Sequence, residues 1–263
     1  MKRCLNCMKL YQEQDVKCPF CSLKEEICLK GKTGRKLQQR FLVGTERIRK
    51  RGTRLYIGWD ELFQRKVFIY EKVGWEKNDT GEVERFFEIS QGLIHLDSVE
   101  EILKVWAVVK EEESVFQILE YPGELTLREV LAETITLSFE DVELLTEQVS
   151  RALQFSQSIG ICHGPLDIDS CYIRSSGKMA VGRFQGGTVK SDIRALANLI
   201  SCCLLGTDVW LGESMKEKIY LLRTCCPEEW FEVLRDILIK KRIPENMKRF
   251  IELLDGVATV EIH

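Results

Sequence analysis

The chain has 263 residues, 44% hydrophobic and 30% charged, with a formal net charge of −3. This suits one medium domain, or a small module before a domain of roughly 200–230 residues, and excludes binding polyanions by bulk charge. No run approaches the ~20 apolar residues of a membrane span, so no membrane partner is expected. The start, Met1-Lys2-Arg3-Cys4, lacks the apolar core of a signal peptide, and a cytoplasmic setting is expected. Eleven cysteines in that setting point to metal binding rather than disulfides.

Residues 1–28 contain Cys4-x-x-Cys7, ten intervening residues and Cys18-Pro19-Phe20-Cys21. Each C-x-x-C is a tight turn with two sulfurs on one side, and two such turns bring four thiolates around one zinc ion. So short a segment has too little apolar content to fold alone, and the metal would supply most of its folding free energy. Four thiolates close the coordination sphere, so the expected role is structural: a zinc ribbon. Cys28 is left over and is not expected to be a ligand. Residues 29–39 hold two glycines, several charges and no periodicity, and read as a linker.

From Arg40 the pattern turns β-like. Phe41–Gly44, Arg54–Asp60 and Arg65–Glu71 read as three strands, and residues 103–107 and 114–121 as two more. Residues 82–96 have helical spacing of apolar positions. The run Arg40-Phe41-Leu42-Val43-Gly44, the Asp60-Glu61-Leu62 turn and the strand Val67-x-Ile69-x-Glu71 resemble the small lobe of bacterial serine/threonine protein kinases, which often carry an N-terminal zinc ribbon. The resemblance implies an α+β, two-lobed protein-kinase-like fold: a β-rich small lobe over 40–122 and a larger helical lobe over 123–263.

In register with that family, the ATP-handling positions are altered. The glycines of the phosphate-covering loop are Ile48, Lys50 and Thr53, and the phosphate-binding Lys is Tyr70. The small residue against the adenine is Phe68, whose ring would fill the slot. The Glu that pairs with the Lys is Ile89, with Glu88 one residue away. The catalytic loop H-R-D-L-x-x-x-x-N is matched by Cys162-His163-Gly164-Pro165-Leu166-Asp167-Ile168-Asp169-Ser170. Pro165 replaces the base and Ser170 the metal-binding Asn. D-F-G becomes Arg183-Phe184-Gln185, putting a cation where magnesium would sit. Arg183 either pairs with Asp167 or Asp169 or binds an anion there, or else is a surface residue. The resemblance therefore implies a pseudokinase, with no ATP or magnesium expected.

Residues 139–159 read as one helix with Val142, Leu145, Val149, Leu153 and Phe155 on its buried side. After Gln185, Ser191-Asp192-Ile193 resembles the start of the helix that follows a kinase activation segment, leaving no room for that segment. Asp192 matches the family's Asp that binds the catalytic-loop backbone. Further helices are expected over 196–205, 213–225, 228–240 and 245–254. Cys202-Cys203 and Cys225-Cys226 fall in apolar helical patterns and read as buried thiols.

Residues Lys30–Arg54 carry ten basic residues and one acidic residue, Glu46. This stretch marks a candidate surface for nucleic acid or an acidic protein, against a solvated hairpin. The function expected is a binding, scaffold or regulatory module with a protein partner. The alternatives are an atypical nucleotide-binding transferase using Asp167 or Asp169 and Lys66 or Lys72, and a zinc-ribbon nucleic-acid binder.

Overall fold

The computed structural model describes residues 1–24, 32–50, 52–74, 80–96, 98–123 and 125–256. Cys28 and Arg51 lie outside them. The chain is mixed α and β, in two compact units: Met1–Asp97 with Leu103–Tyr121, and Ser98–Ile102 with Pro122–His263.

The first unit opens with a small antiparallel pair, β1 (Lys2–Arg3) and β2 (Leu10–Tyr11). It continues as β3 (Lys36–Leu37), β4 (Phe41–Lys50), β5 (Thr53–Asp60), β6 (Arg65–Val73), β7 (Val105–Glu111) and β8 (Ser114–Glu120). These six form one antiparallel sheet in the order β3-β4-β5-β6-β8-β7. The stretch read as a linker is thus corrected: Lys36 and Leu37 pair with Leu42 and Phe41, and Leu37 is buried. Its turn is fastened further by Gly34 N to Val43 O, 2.7 Å, and by Lys32 Nζ to the Glu71 carboxylate, 2.8 Å. Pairing satisfies backbone groups that a free linker would leave to water.

Strand β6 sits inside the sheet, and Val67 to Glu71 are all buried. Val67 and Ile69 join a core with Phe41, Val43, Tyr56 and Phe116. Alternation turns Phe68 and Tyr70 to the opposite face. There Tyr70 meets Phe86 of helix α1 (Thr80–Leu93) edge-on at 5.8 Å. Gln117 Nε2 donates to Ser90 Oγ at 2.7 Å, fixing α1 to β8. The buried Glu71 accepts from Tyr56 and Ser114 hydroxyls, each at 3.0 Å, besides Lys32.

The second unit contains α2 (Leu127–Thr134), α3 (Phe139–Ser158), β9 (Cys171–Ile173), β10 (Met179–Val181), α4 (Val189–Leu205), α5 (Thr207–Gly212), α6 (Met215–Cys225), α7 (Glu228–Leu238) and α8 (Met247–Leu254). β9 and β10 form a hairpin. On α3, Val142, Leu145, Val149 and Leu153 are buried as expected, but Phe155 is exposed. The 3.6-residue period carries the buried stripe through Ala152 and Ser156 instead. Helix α4 is apolar on most of its surface because α3, α5, α6, α7 and α8 all pack against it. Its first turn is closed by a reciprocal capping box between Thr188 and Ser191. Cys202 and Cys203 are buried on α4, while Cys225 and Cys226 are only half-buried at the end of α6, a correction of the sequence reading. No described helix is long and apolar enough to cross a membrane.

Candidate metal centre and polar loop

The two C-x-x-C turns are built alike. Met8 N donates to Cys4 O at 2.9 Å, and Ser22 N to Cys18 O at 2.8 Å. Cys4 N donates to Lys9 O at 2.9 Å, and Cys18 N to Leu23 O at 3.0 Å. Both turns close on a left-handed residue, Met8 (φ 61°) and Ser22 (φ 58°). The repeated geometry points the four sulfurs at one another: all lie within 4.8 Å. Cys4 Sγ is 3.6 Å from Cys21 Sγ, and Cys7 Sγ is 3.7 Å from Cys18 Sγ. A tetrahedral zinc with Zn–S near 2.3 Å requires sulfur–sulfur edges of about 3.8 Å. The four cysteines can therefore hold a metal ion such as zinc, and with four protein ligands such an ion would organise structure rather than activate water.

The thiols do not titrate alike. Burial pushes Cys4 up to about 12 against hydrogen bonds from the Cys7 and Asn6 amides. At Cys21 burial also acts upward, but the Leu23 amide, Asn6 and the sulfurs of Cys4 and Cys18 outweigh it and bring the thiol down to about 7. Metal entry must displace the protons that remain.

The first turn is seated on the sheet. Between Val43 and Ile48 the β4–β5 register slips, freeing Thr45 from the ladder. Leu5 O accepts from Thr45 N at 2.7 Å, Asn6 Oδ1 from Thr45 Oγ1 at 3.0 Å, and Asn6 O from Arg47 at 2.8 Å. The Arg3 guanidinium stacks 3.6 Å from the Trp59 ring centre. Met8 is buried over Gly44, where a Cβ would collide with Met8 Cε and the Leu5 carbonyl oxygen. Gly44 is therefore required by close approach, a role the sequence reading missed because only the docked turn reveals it.

In the second unit a loop from Ile161 to Ser170 precedes β9. The Asp192 carboxylate, fully buried in the first turn of α4, accepts from the amides of His163 (3.0 Å) and Gly164 (2.8 Å) and from Gln157 Nε2 (3.1 Å). This is the backbone-binding role expected for Asp192. His163 is fully buried; its Nε2 meets Gly182 O at 2.9 Å and its ring packs 4.5 Å from that of Phe184. Burial drives its pKa down to about 4, so the ring is neutral near pH 7. Gly164 has φ 90°, and a Cβ there would collide with Gly186 O. Gln185 N donates to His163 O at 2.9 Å. The chain after Arg183 thus crosses directly over the loop into α4, and the crossing demands glycine at 164.

The sequence-predicted positions fall in both units. Tyr70 and Ile89 are buried in the first, on β6 and α1. Phe68 is buried there too and meets Tyr121 edge-on at 5.1 Å. Pro165, Ser170 and Arg183 belong to the second. Ser170 Oγ donates to Asp167 Oδ1 at 2.9 Å, which also accepts from Asp169 N at 3.0 Å. Asp169 is held by a two-pronged ion pair with Arg128, one prong at 2.9 Å. Arg183 is only 3% exposed, which overturns the surface reading, and its Nη1 lies 4.0 Å from Asp167 Oδ1, a long ion pair. Its φ of 68° marks a strained non-glycine conformation. Arg128 was not foreseen; its partner is 41 residues away.

Among known proteins, no family model matches the chain and no curated protein matches it.

Proposed function

We propose that this chain is a catalytically silent, protein-kinase-like protein that works by binding, with zinc as the structural ion of its four-cysteine site. The observation that carries the reading is Arg183: a buried guanidinium paired with Asp167, at the position where the resemblance would place a magnesium ligand. A fixed cation there opposes a dication. Three further features support it. Five strands of the first sheet run β4-β5-β6-β8-β7, with α1 between the third and fourth of them in sequence, the arrangement the resemblance implies for a small lobe. Asp192 ties the loop backbone to α4. The path from Arg183 to α4 leaves no activation segment.

Other observations weigh against the two alternatives. Asp169 is taken by Arg128 and Lys72 by Glu82 at 2.6 Å, which speaks against a displaced-residue transferase. On the basic hairpin, Arg49 pairs with Glu46 and Arg47 with Asn6 O, so that charge is partly spent within the protein. A binding role in the second unit has a ready surface: a cavity of about 260 Å³ lined by Leu166, Ile168, Leu199, Cys202, Trp210 and Leu211 among others.

The test is a thermal-shift titration of zinc-loaded protein with ATP and ADP, with and without magnesium or manganese. The expected outcome is no shift at millimolar nucleotide. A metal-dependent rise of several degrees would overturn the proposal.

A further inference from the structure

Antiparallel register brings several chain ends to one edge of the first sheet. Phe41 pairs with Asp60, Asp60 with Arg65, and Val67 with Glu120. Arg40 precedes β4, the turn Glu61–Gln64 joins β5 to β6, and Lys104 precedes β7, so their side chains share that edge. The turn leaves Leu62 65% and Phe63 60% exposed, and Trp106 on the edge strand β7 is 37% exposed.

Cations interleave with these rings. The Arg40 guanidinium carbon lies 5.1 Å from the Phe63 centroid. The Arg65 guanidinium carbon lies 4.9 Å from Phe63 and 3.9 Å from Trp106. Lys104 Nζ lies 5.9 Å from Trp106. The sequence of groups is Arg40, Phe63, Arg65, Trp106, Lys104, a ladder of alternating charge and ring.

The acidic groups at this edge already have partners. Asp60 accepts from Arg40 Nε at 2.8 Å and Arg40 Nη2 at 2.7 Å, and from the amides of Leu62 and Phe63. Lys36 holds Glu61 at 2.9 Å. Glu120 accepts from Lys104 N at 3.3 Å. Arg65 is different. It shares Asp60 with Arg40, Oδ2 lying 3.7 Å from its own Nε, so two guanidiniums face one carboxylate; the Nε itself is buried and has no hydrogen-bond partner among the described residues. A third of the side chain is exposed, 33%, with its plane fixed by two rings.

A guanidinium presents a rigid fork matched to a carboxylate. Clamping it between rings removes in advance the side-chain entropy that binding would otherwise cost. Exposed Leu62 and Phe63 beside it favour an apolar neighbour of that carboxylate. We propose that Arg65 anchors a docking surface for an acidic peptide segment of a partner protein, its carboxylate on the guanidinium and an adjacent apolar side chain on Leu62 and Phe63. Single-stranded nucleic acid fits less well: Trp106, 37% exposed, already carries Arg65 and Lys104, which leaves Phe63 as a lone ring rather than a run of rings for successive bases.

The experiment is fluorescence anisotropy of full-length, metal-loaded protein with a labelled peptide of Glu-Glu-Leu repeats, beside a labelled oligo-dT strand. Wild type binds the peptide saturably and more tightly than the oligonucleotide. Arg65→Gln weakens binding about tenfold, the effect of losing one charge-assisted hydrogen-bonded pair. Arg65→Lys, which keeps charge but loses the planar fork, also weakens it. Unchanged melting of both variants establishes that the fold is intact. Absence of saturable peptide binding, equal binding by Arg65→Gln, or tighter binding of oligo-dT would each overturn the proposal. None of these readouts involves nucleotide in a cleft, so their failure is separable from failure of the pseudokinase reading.

Discussion

The two cysteine turns and the loop from Ile161 to Ser170 are both irregular segments pinned by hydrogen bonds to backbone groups, yet they spend their side chains in opposite ways. In the turns, backbone bonds fix the geometry and the four sulfurs are left to converge. In the loop, Asp192 fixes the backbone, and the acidic side chains are then taken up by Ser170, Arg128 and Arg183. The difference lies in what is left over once the backbone is fixed. The turns keep their donors unspent at ligand distance, whereas the loop neutralises its acidic side chains internally.

The largest effect should come from removing the metal. Cys4→Ser, or prolonged chelation, should take bound metal from about one ion per chain toward none and release residues 1–24 from the sheet. Metal analysis and hydrogen exchange at Thr45 check this; unchanged protection at Thr45 would show that the seat on β4 stands without metal. Metal retention should also fail on acidification, because protons compete for the thiolates.

Next is Asp192→Ala, which leaves two loop amides without their acceptor. At about 1–3 kcal/mol for each buried unsatisfied group, the loss should be about 2–6 kcal/mol by denaturant titration. A loss below 1 kcal/mol would mean the loop is held by its crossing with Gly186 alone.

His163 supplies a pH test of the same loop. Its folded pKa is about 4, below the unfolded value of 6.5. The folded state therefore has its full stability above pH 6.5 and loses it as pH falls toward 4, where the unfolded chain binds a proton that the folded chain refuses. The loss should reach about 3 kcal/mol across that window. His163→Gln should flatten the profile relative to wild type; parallel profiles would place the titration elsewhere.

Gly44→Ala is the smallest and sharpest probe of the cysteine turns. Overpacking of this kind costs about 1–3 kcal/mol. Here it should act by lifting the first turn off β4 without loss of metal. If the metal is lost as well, the seat and the metal site are one cooperative unit.

Much of this was legible in the residues. The four cysteines carry their chemistry in spacing alone, because two short turns fix where the sulfurs go. The strands of the sheet and the longer helices followed from period and punctuation, although α5 and the strand at Lys36–Leu37 did not. Both are short, and each is held by pairing or packing with segments that local pattern does not describe. Phe155 was misplaced for a related reason: apolar character does not say which face of α3 meets a neighbour.

By itself the sequence determined the four-sulfur set and the alternation of β6, since each depends on spacing within or next to one element; the role of Asp192 was an expectation from the resemblance, and its bonds to His163 and Gly164 are long-range. Only the tertiary structure decided that the first cysteine turn sits on Gly44, that Arg183 is buried against Asp167, that Arg128 closes on Asp169, and that Arg65 stands between Phe63 and Trp106. Those contacts join residues far apart in the chain or on different strands, and their energies depend on distance and burial, which exist only once the segments have packed.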